Sequence, residues 1–290
     1  MLEEHIKQEL KKAGLRANKT LGQHFLISEE MRDAVVEVSG VKSDGTVLEV
    51  GPGIGFLTEE LLRKVKHVYA IELSDDLYGF LSKKYNNNAK LTLIHEDILK
   101  LHIDTLFRDQ KKEPIVHDLN RSIGSYHVVS NIPYYLTGKL IPYFLENTLK
   151  PRSLTLMVQK EVAMRLTEVE GKSSIPSIAA QFFAEVSYCF DVSREHFFPV
   201  PAVDSAVIHM EIKSAVPDVD QKLFFSILRG VFAGKRKQLR NSVAALFHME
   251  KEAARAWLES IGINPGTRPE RLTLDDFVTL TYNAATMNVR

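Results

Sequence analysis

Among 290 residues there is a single cysteine, Cys189. That excludes an intrachain disulfide framework and any multi-cysteine metal site, and we expect the thiol to serve as a small buried hydrophobe. The ten histidines show no paired ligand spacing, so no metal is expected. No apolar run approaches the ~18 residues of a membrane span. The start, Met1-Leu2-Glu3-Glu4-His5, has neither the basic nor the apolar region of a secretory signal. A soluble, cytoplasmic chain without a membrane partner is the expectation. Gly171-Lys172-Ser173 is not a P-loop, because Leu166 stands where the earlier glycine belongs. Internal repeats and low-complexity tracts are also missing. Net charge is zero, with 37 Lys plus Arg against 37 Asp plus Glu, so any attraction for nucleic acid has to come from local clustering.

What is present suits an ordinary globular chain, 44% hydrophobic and 26% charged, long enough for two domains. Residues Glu3 to Arg16 read as a charged amphipathic helix, followed by a basic Gly-containing segment to Leu26 and a helix that Ser28 caps. From Thr46 short apolar runs alternate with helical patterns. Thr46 to Val50, Val68 to Leu73, Leu91 to Ile94, Tyr126 to Ser130 and Ser153 to Val158 read as buried strands. Thr58 to Lys64, Asp75 to Tyr85, Thr137 to Asn147 and Lys160 to Thr167 read as helices. This alternation implies a parallel sheet covered by helices on both faces. Phe107 to Gly124 reads as a polar surface insertion. Two further strands are expected near Val186 to Asp191 and Val203 to Lys213. Beyond them the pattern is wholly helical, over about Asp220 to Phe232, Arg236 to Phe247, Lys251 to Ile261 and Thr273 to Tyr282. The boundaries read as 1–214 for an α/β domain, with an N-terminal extension 1–27, and 215–290 for a small helical domain in which Trp257 packs.

Three successive strand ends carry the chemistry. Glu49-Val50-Gly51-Pro52-Gly53-Ile54-Gly55 follows the first strand, and its glycines, Gly51 and Gly53 among them, let the backbone pass close beneath a ligand. It departs from the dinucleotide fingerprint, since Phe56 stands where that pattern needs its last glycine. Glu72 ends the second strand, where a carboxylate can accept from both ribose hydroxyls. Asp97 ends the third, where it can accept from an adenine amine. A tight βα turn and surface acids are the plainer reading of each feature alone. The ordered set describes a nucleoside cleft without a phosphate grip, and S-adenosylmethionine fits it better than a dinucleotide.

The fourth strand runs into Asn131-Ile132-Pro133-Tyr134. The Asn131 carbonyl oxygen and the backbone carbonyl around Ile132-Pro133 can both accept from an exocyclic base amine, and Tyr134 offers a stacking face. Adenine or cytosine would fit such a grip. The alternative is a Pro-containing turn in which Asn131 bonds its own backbone. Farther on, Lys235-Arg236-Lys237 and Arg240 cluster at the start of a helix, where cations oppose the macrodipole unless a polyanion compensates them. We read them as RNA phosphate contacts, against a solvated face. From Glu211 to Arg290 twelve basic residues face nine acidic ones.

Taken together, these motifs resemble the small-subunit ribosomal RNA adenine-N6,N6 dimethyltransferases. Gln23-His24-Phe25-Leu26, Glu49 to Gly55, Glu72, Glu96-Asp97, Asn131 to Tyr134, Val158 to Ala163, Phe197-x-Pro199-x-Pro201-x-Val203-x-Ser205 and Arg236 to Asn241 occur in that family's order. The resemblance implies a Rossmann-like sheet of seven strands with the last antiparallel, plus a small all-helical C-terminal domain. It also implies S-adenosylmethionine as methyl donor and, as target, two adjacent adenosines in a hairpin loop near the 3′ end of small-subunit rRNA, reached within an immature subunit by a monomer. His24 and Leu26 would then contact the donor's methionine end, Gly51 would line its cleft, and Glu72 would hold the ribose. Asp97 would take the adenine amine with Ile98 beside the ring. Asn131 would face both donor and substrate, and Phe197 would join Tyr134 in stacking on the extruded base. The family usually carries Asn in place of His24, and its segment matching Phe107 to Gly124 is shorter. The rival readings are a large-subunit rRNA adenine methylase and a non-catalytic ribosome-assembly or transcription factor on the same fold.

Overall fold

The computed structural model describes Gln8 and residues 23–107, 122–123, 126–167, 172–234 and 237–286. Apart from Gln8, the expected helix Glu3 to Arg16 lies outside these residues. So do most of the Phe107 to Gly124 insertion, Gly171, Lys235 and Arg236.

The chain forms two compact units. The first opens with β1 (Phe25–Leu26) and α1 (Glu29–Val38), which begins where the sequence predicts because the Ser28 hydroxyl accepts from the Met31 amide at 3.3 Å. Then come β2 (Thr46–Val50), α2 (Phe56–Lys64), β3 (His67–Glu72), α3 (Asp75–Lys84) and β4 (Leu91–His95). A short helix α4 (Ile103–Leu106) and the two-residue strand β5 (Ser122–Ile123) precede β6 (Tyr126–Asn131) and α5 (Thr137–Glu146). After β7 (Leu149–Lys150), β8 (Ser153–Gln159) and α6 (Lys160–Thr167), the chain returns through β9 (Ala184–Val192), β10 (Phe197–Phe198) and β11 (Ser205–Ile212).

Seven strands form one sheet in the order β4-β3-β2-β6-β8-β11-β9. β4, β3, β2, β6 and β8 pair in parallel, whereas β11 runs antiparallel to β8 from Ser205↔Gln159 to Glu211↔Ser153. The expected strands and the antiparallel one are therefore present. The central ones read as unbroken apolar runs because both faces are covered, and Val47, Leu48, Val68, Val128, Leu154 and Leu156 are fully buried. Cys189 is only half-buried at the edge of this core, less enclosed than expected.

Strand order decides where a ligand can sit. From β2 the chain winds outward to β3 and β4, then crosses back to β6 on the other side of β2. At such a reversal the connections diverge and leave a crevice beyond the carboxyl ends of the strands. Gly51 follows β2 and Asn131 ends β6, so both stand at that crevice.

The second unit comprises Met164–Glu185 and Ala215–Arg290. Its helices are α7 (Ile175–Phe183), α8 (Gln221–Ala233), α9 (Leu239–Leu246), α10 (Lys251–Ser260) and α11 (Leu274–Thr286). α7 was not foreseen, and it lies well before residue 215. Its sequence Ile175-Pro176-Ser177-Ile178-Ala179-Ala180-Gln181-Phe182-Phe183 is apolar nearly all round and needs burial on more than one side. Phe182 meets Phe224 at 4.4 Å and Phe183 stacks on Phe225 at 5.9 Å, which ties this segment to the helical unit. Trp257 packs edge-on against Phe247 at 5.7 Å. Among the described residues, no helix is long and apolar enough to cross a membrane, and no group of three or more His, Cys, Asp or Glu could hold a metal ion.

Candidate active site

A cleft opens at the carboxyl edge of the sheet, lined from the β2 turn, the ends of β3, β4 and β6, and the residues before β1. Its floor depends on glycine. Gly51 has φ +66, a left-handed conformation that favours glycine, and it lies against Pro133 of the Asn131 motif, whose Cδ a Cβ there would meet at 3.4 Å. Gly55 has φ +81 and gives a Cβ no room against the Tyr85 hydroxyl at 2.8 Å.

Glu72 forms the wall. It is 5% exposed, and its two oxygens accept from the Ser74 amide at 2.9 Å and the Gly53 amide at 3.3 Å. Burial pushes its pKa up, while these backbone donors oppose the rise. Each oxygen keeps a lone pair for a diol. Asp97 lies one strand further along, where its carboxylate caps a short 3₁₀ turn by accepting from the Leu99 amide at 3.0 Å, with buried Ile98 beside it. Behind the cleft Glu49 is 2% exposed and accepts from the Thr58 hydroxyl at 2.7 Å. Burial raises its pKa to about 8.

The end of β6 supplies the reactive corner. The buried Ser130 hydroxyl donates to the Val50 carbonyl at 2.5 Å, binding β6 to β2 just before the motif. The Asn131 Nδ2 donates to the His24 carbonyl at 3.4 Å, which commits the amide nitrogen and leaves Oδ1 available as an acceptor. Tyr134 shares a hydrogen bond with Ser205 at 2.7 Å and stacks on His24 at 5.8 Å.

Nine of the residues singled out from sequence line this cleft: His24, Gly51, Gly53, Glu72, Asp97, Ile98, Asn131, Pro133 and Tyr134. Two others do not. Phe197, expected to stack on a base, is 1% exposed and sits in the main core, and Leu26, expected at the donor, is 4% exposed in the same cluster. The reason is their register: β1 and β10 pair antiparallel with Leu26 opposite Phe197, and these side chains turn together into the core. Lys237 is exposed and Arg240 half-buried at the start of α9, in the other unit. The α9 amides of Leu239 and Arg240 are already satisfied by the Thr267 and Pro265 carbonyls. Sequence reasoning missed Tyr135, 55% exposed in the cleft, Lys139 beside it, and Ser205 as the partner of Tyr134. Tyr135 carried a usable signal, since it directly follows the motif. Ser205 stands in the motif that begins at Phe197, but nothing local joins it to a partner 71 residues away.

A reversed strand pair closing a mainly parallel seven-stranded sheet, with a glycine turn and two strand-end carboxylates around one crevice, defines the chain as an α/β methyltransferase. Solved structures agree on the fold. A dimethyladenosine transferase from Plasmodium falciparum superposes with TM-score 0.73 at 23% identity, covering 90% of this chain and 98% of that one. The 23S rRNA methyltransferase ErmE gives 0.69 at 22% identity, covering 90% and 100%. A family model for ribosomal RNA adenine dimethylases matches residues 14–285. The ribosomal RNA small subunit methyltransferases A of Clostridium botulinum (strain Okra) and Dehalococcoides mccartyi (strain CBDB1) are each 36% identical to this chain. The first match covers 94% of this chain and 96% of the relative, the second 91% and 87%. The chain belongs to the ribosomal RNA adenine dimethylase family, and it is an enzyme of that family.

Proposed function

We propose that this enzyme transfers methyl groups from S-adenosylmethionine to the N6 amines of two adjacent adenosines in a hairpin loop near the 3′ end of small-subunit rRNA, acting as a monomer on an immature subunit. The observation that carries the reading is Asn131, which lines the same cleft as Glu72 and Asp97 and whose Nδ2 is held by the His24 carbonyl.

The residues present suit the donor. The Glu72 carboxylate, held by two backbone amides with a lone pair left on each oxygen, matches a ribose diol and Asp97 an adenine amine, while Lys139 is the single Lys or Arg on the described lining, a poor grip for a pyrophosphate. When bound, S-adenosylmethionine would supply an electrophilic methyl group. The chain's own contribution concerns the nucleophile. An adenine N6 lone pair is delocalised into the ring and attacks poorly. Asn131 Oδ1 and the backbone carbonyl around Ile132-Pro133 would accept both N–H bonds, drawing them out of the ring plane and leaving the lone pair localised. Tyr134 would stack on the extruded base, worth ~1–3 kcal/mol against the cost of unstacking it. The methylated amine is cationic and loses a proton readily, so a strong general base is unnecessary. Lys235, Arg236, Lys237 and Arg240 would hold RNA phosphates.

Small-subunit RNA is preferred over large-subunit RNA because the relatives at 36% identity carry the small-subunit name, whereas the likeness to ErmE extends to fold alone. The test is transfer of labelled methyl groups to under-methylated small subunits, followed by digestion and identification of the nucleoside. Asn131→Ala should lower the rate by ~100-fold or more and leave RNA binding largely intact. Equal transfer by that variant would refute the role of Asn131.

A further inference from the structure

Lys139 shares the described cleft lining with the carboxylates of Glu72, Glu96 and Asp97, and no other Lys or Arg stands there. It is exposed, and its ammonium takes no partner among the described residues. It lies in the first turn of α5, where the helix macrodipole disfavours a cation that no anion compensates. Four residues earlier Tyr135 lines the same cleft, 55% exposed, and four residues later the Tyr143 hydroxyl donates to the Leu101 carbonyl at 2.5 Å. Residues four apart share one side of a helix, so this side of α5 runs along the segment that Asp97 begins. α5 also packs against the turn Ile98–Lys100.

That position decides which anion the lysine can meet. With the donor's ribose on Glu72 and its adenine at Asp97, the one anion of S-adenosylmethionine, its carboxylate, lies beyond the ribose at the end farthest from the adenine. Lys139 stands at the adenine end and has no donor anion to pair with. The other substrate is an RNA strand, which carries a phosphate on either side of the target nucleotide and has to enter past three carboxylates. We infer that Tyr135 and Lys139 form a subsite for the nucleotide adjoining the target adenosine, the ring taking its base and the ammonium its phosphate. This rests on the proposed reaction. An aromatic face beside a cation suits unpaired RNA, because every base has a face to stack and every link a charge to neutralise. Asn131 and Tyr134 keep the target base, and the subsite fixes the strand beside it. Since the two targets are adjacent, the adenosine outside the pocket is the one this subsite holds.

Both side chains are exposed, so substitutions there leave the core intact. With under-methylated small subunits, Lys139→Gln should raise KM for the subunit roughly fivefold, more than it lowers kcat, and make the slope of log affinity against log salt shallower by about 0.7 to 0.9. Lys139→Arg should stay close to the parent, and Lys139→Glu should lose more than the glutamine variant does. Tyr135→Ala should raise KM about fivefold or more, the loss expected of one base stack, whereas Tyr135→Phe keeps the ring and most of the affinity. The Kd of S-adenosylmethionine, measured calorimetrically, should stay at the parent's value throughout. A parental KM and salt slope in Lys139→Gln overturn the phosphate contact, and a parental KM in Tyr135→Ala overturns the stack. A donor Kd that rises enough to account for the lost rate overturns the subsite altogether, since both residues would then serve the donor. A wild-type chain that transfers no methyl group to small subunits defeats the proposed reaction instead, whereas one that transfers while its variants match it defeats the subsite alone.

Discussion

Replacing Glu49 by glutamine should remove a large contribution to the pH dependence of this protein's stability between about pH 4.5 and 8. Glu49 lies within β2 and is 2% exposed. Burial is the main cause that lifts its pKa from 4.5 to about 8, the Thr58 hydrogen bond lowers it, and the nearby Glu72 charge raises it again. Below pH 4.5 the carboxyl is protonated folded and unfolded, and its burial carries no ionisation penalty. As pH rises, the unfolded chain releases the proton while the folded one retains it. Stability then falls by about 1.4 kcal/mol per pH unit until the folded group itself titrates. Across the interval from 4.5 to about 8 the loss approaches ~4 kcal/mol, a sizeable share of a typical ~5–15 kcal/mol. The neutral amide introduced by Glu49→Gln has no proton to release and can still accept from Thr58. Urea unfolding followed by far-ultraviolet circular dichroism, without S-adenosylmethionine, at steps from pH 5 to 9 should show the variant gaining on the parent as pH increases, with no change of slope in urea. A stability difference constant within ~0.5 kcal/mol over that range, or one shrinking with pH, would refute the reasoning.

Three further outcomes follow from the geometry. Phe197→Ala, at a site buried in the core, should cost about 3–5 kcal/mol of stability, and a variant that folds normally while losing only RNA affinity would restore the stacking role. Gly55→Ala should destabilise by at least ~1–2 kcal/mol, because φ +81 is unfavourable for alanine and the added Cβ meets Tyr85 and Leu81; unchanged thermal unfolding would contradict this. Converting Lys237 and Arg240 together to glutamine should weaken RNA binding and make the slope of log affinity against log salt shallower by roughly one for each phosphate no longer neutralised, while the Kd for S-adenosylmethionine stays put. A salt slope equal to the parent's would remove both residues from the interface.

Much of this enzyme could be read without coordinates wherever a local rule suffices. The buried strands announced themselves because a strand covered on both faces has to be apolar throughout, and Thr46 to Val50 came out residue for residue. Gly51, Glu72, Asp97 and Asn131 were legible because strand ends at a switch point are where an α/β sheet holds its ligands, so position in the pattern already implied position in the cleft. The helix Ile175–Phe183 was missed although its start is marked locally, by a capping box between Ser174 and Ser177 and a proline in the first turn.

Other features depended on contacts between residues far apart in the chain. Phe197 and Leu26 stand in recognisable motifs, yet a strand residue points to one face or the other according to its register, and the pairing of β1 with β10 turned both into the core. His24, Tyr134, Pro199 and Ser205 meet only through hydrogen bonds and ring contacts spanning up to 175 residues. The amino-acid order by itself determined the sheet, the glycine turn and the acids at the strand ends, because those rest on short-range propensity and periodicity. Only the tertiary structure decided which aromatic lines the cleft, which partner the Asn131 amide takes and that burial lifts the Glu49 pKa to about 8, because each depends on what distant chain brings into contact or shields from water.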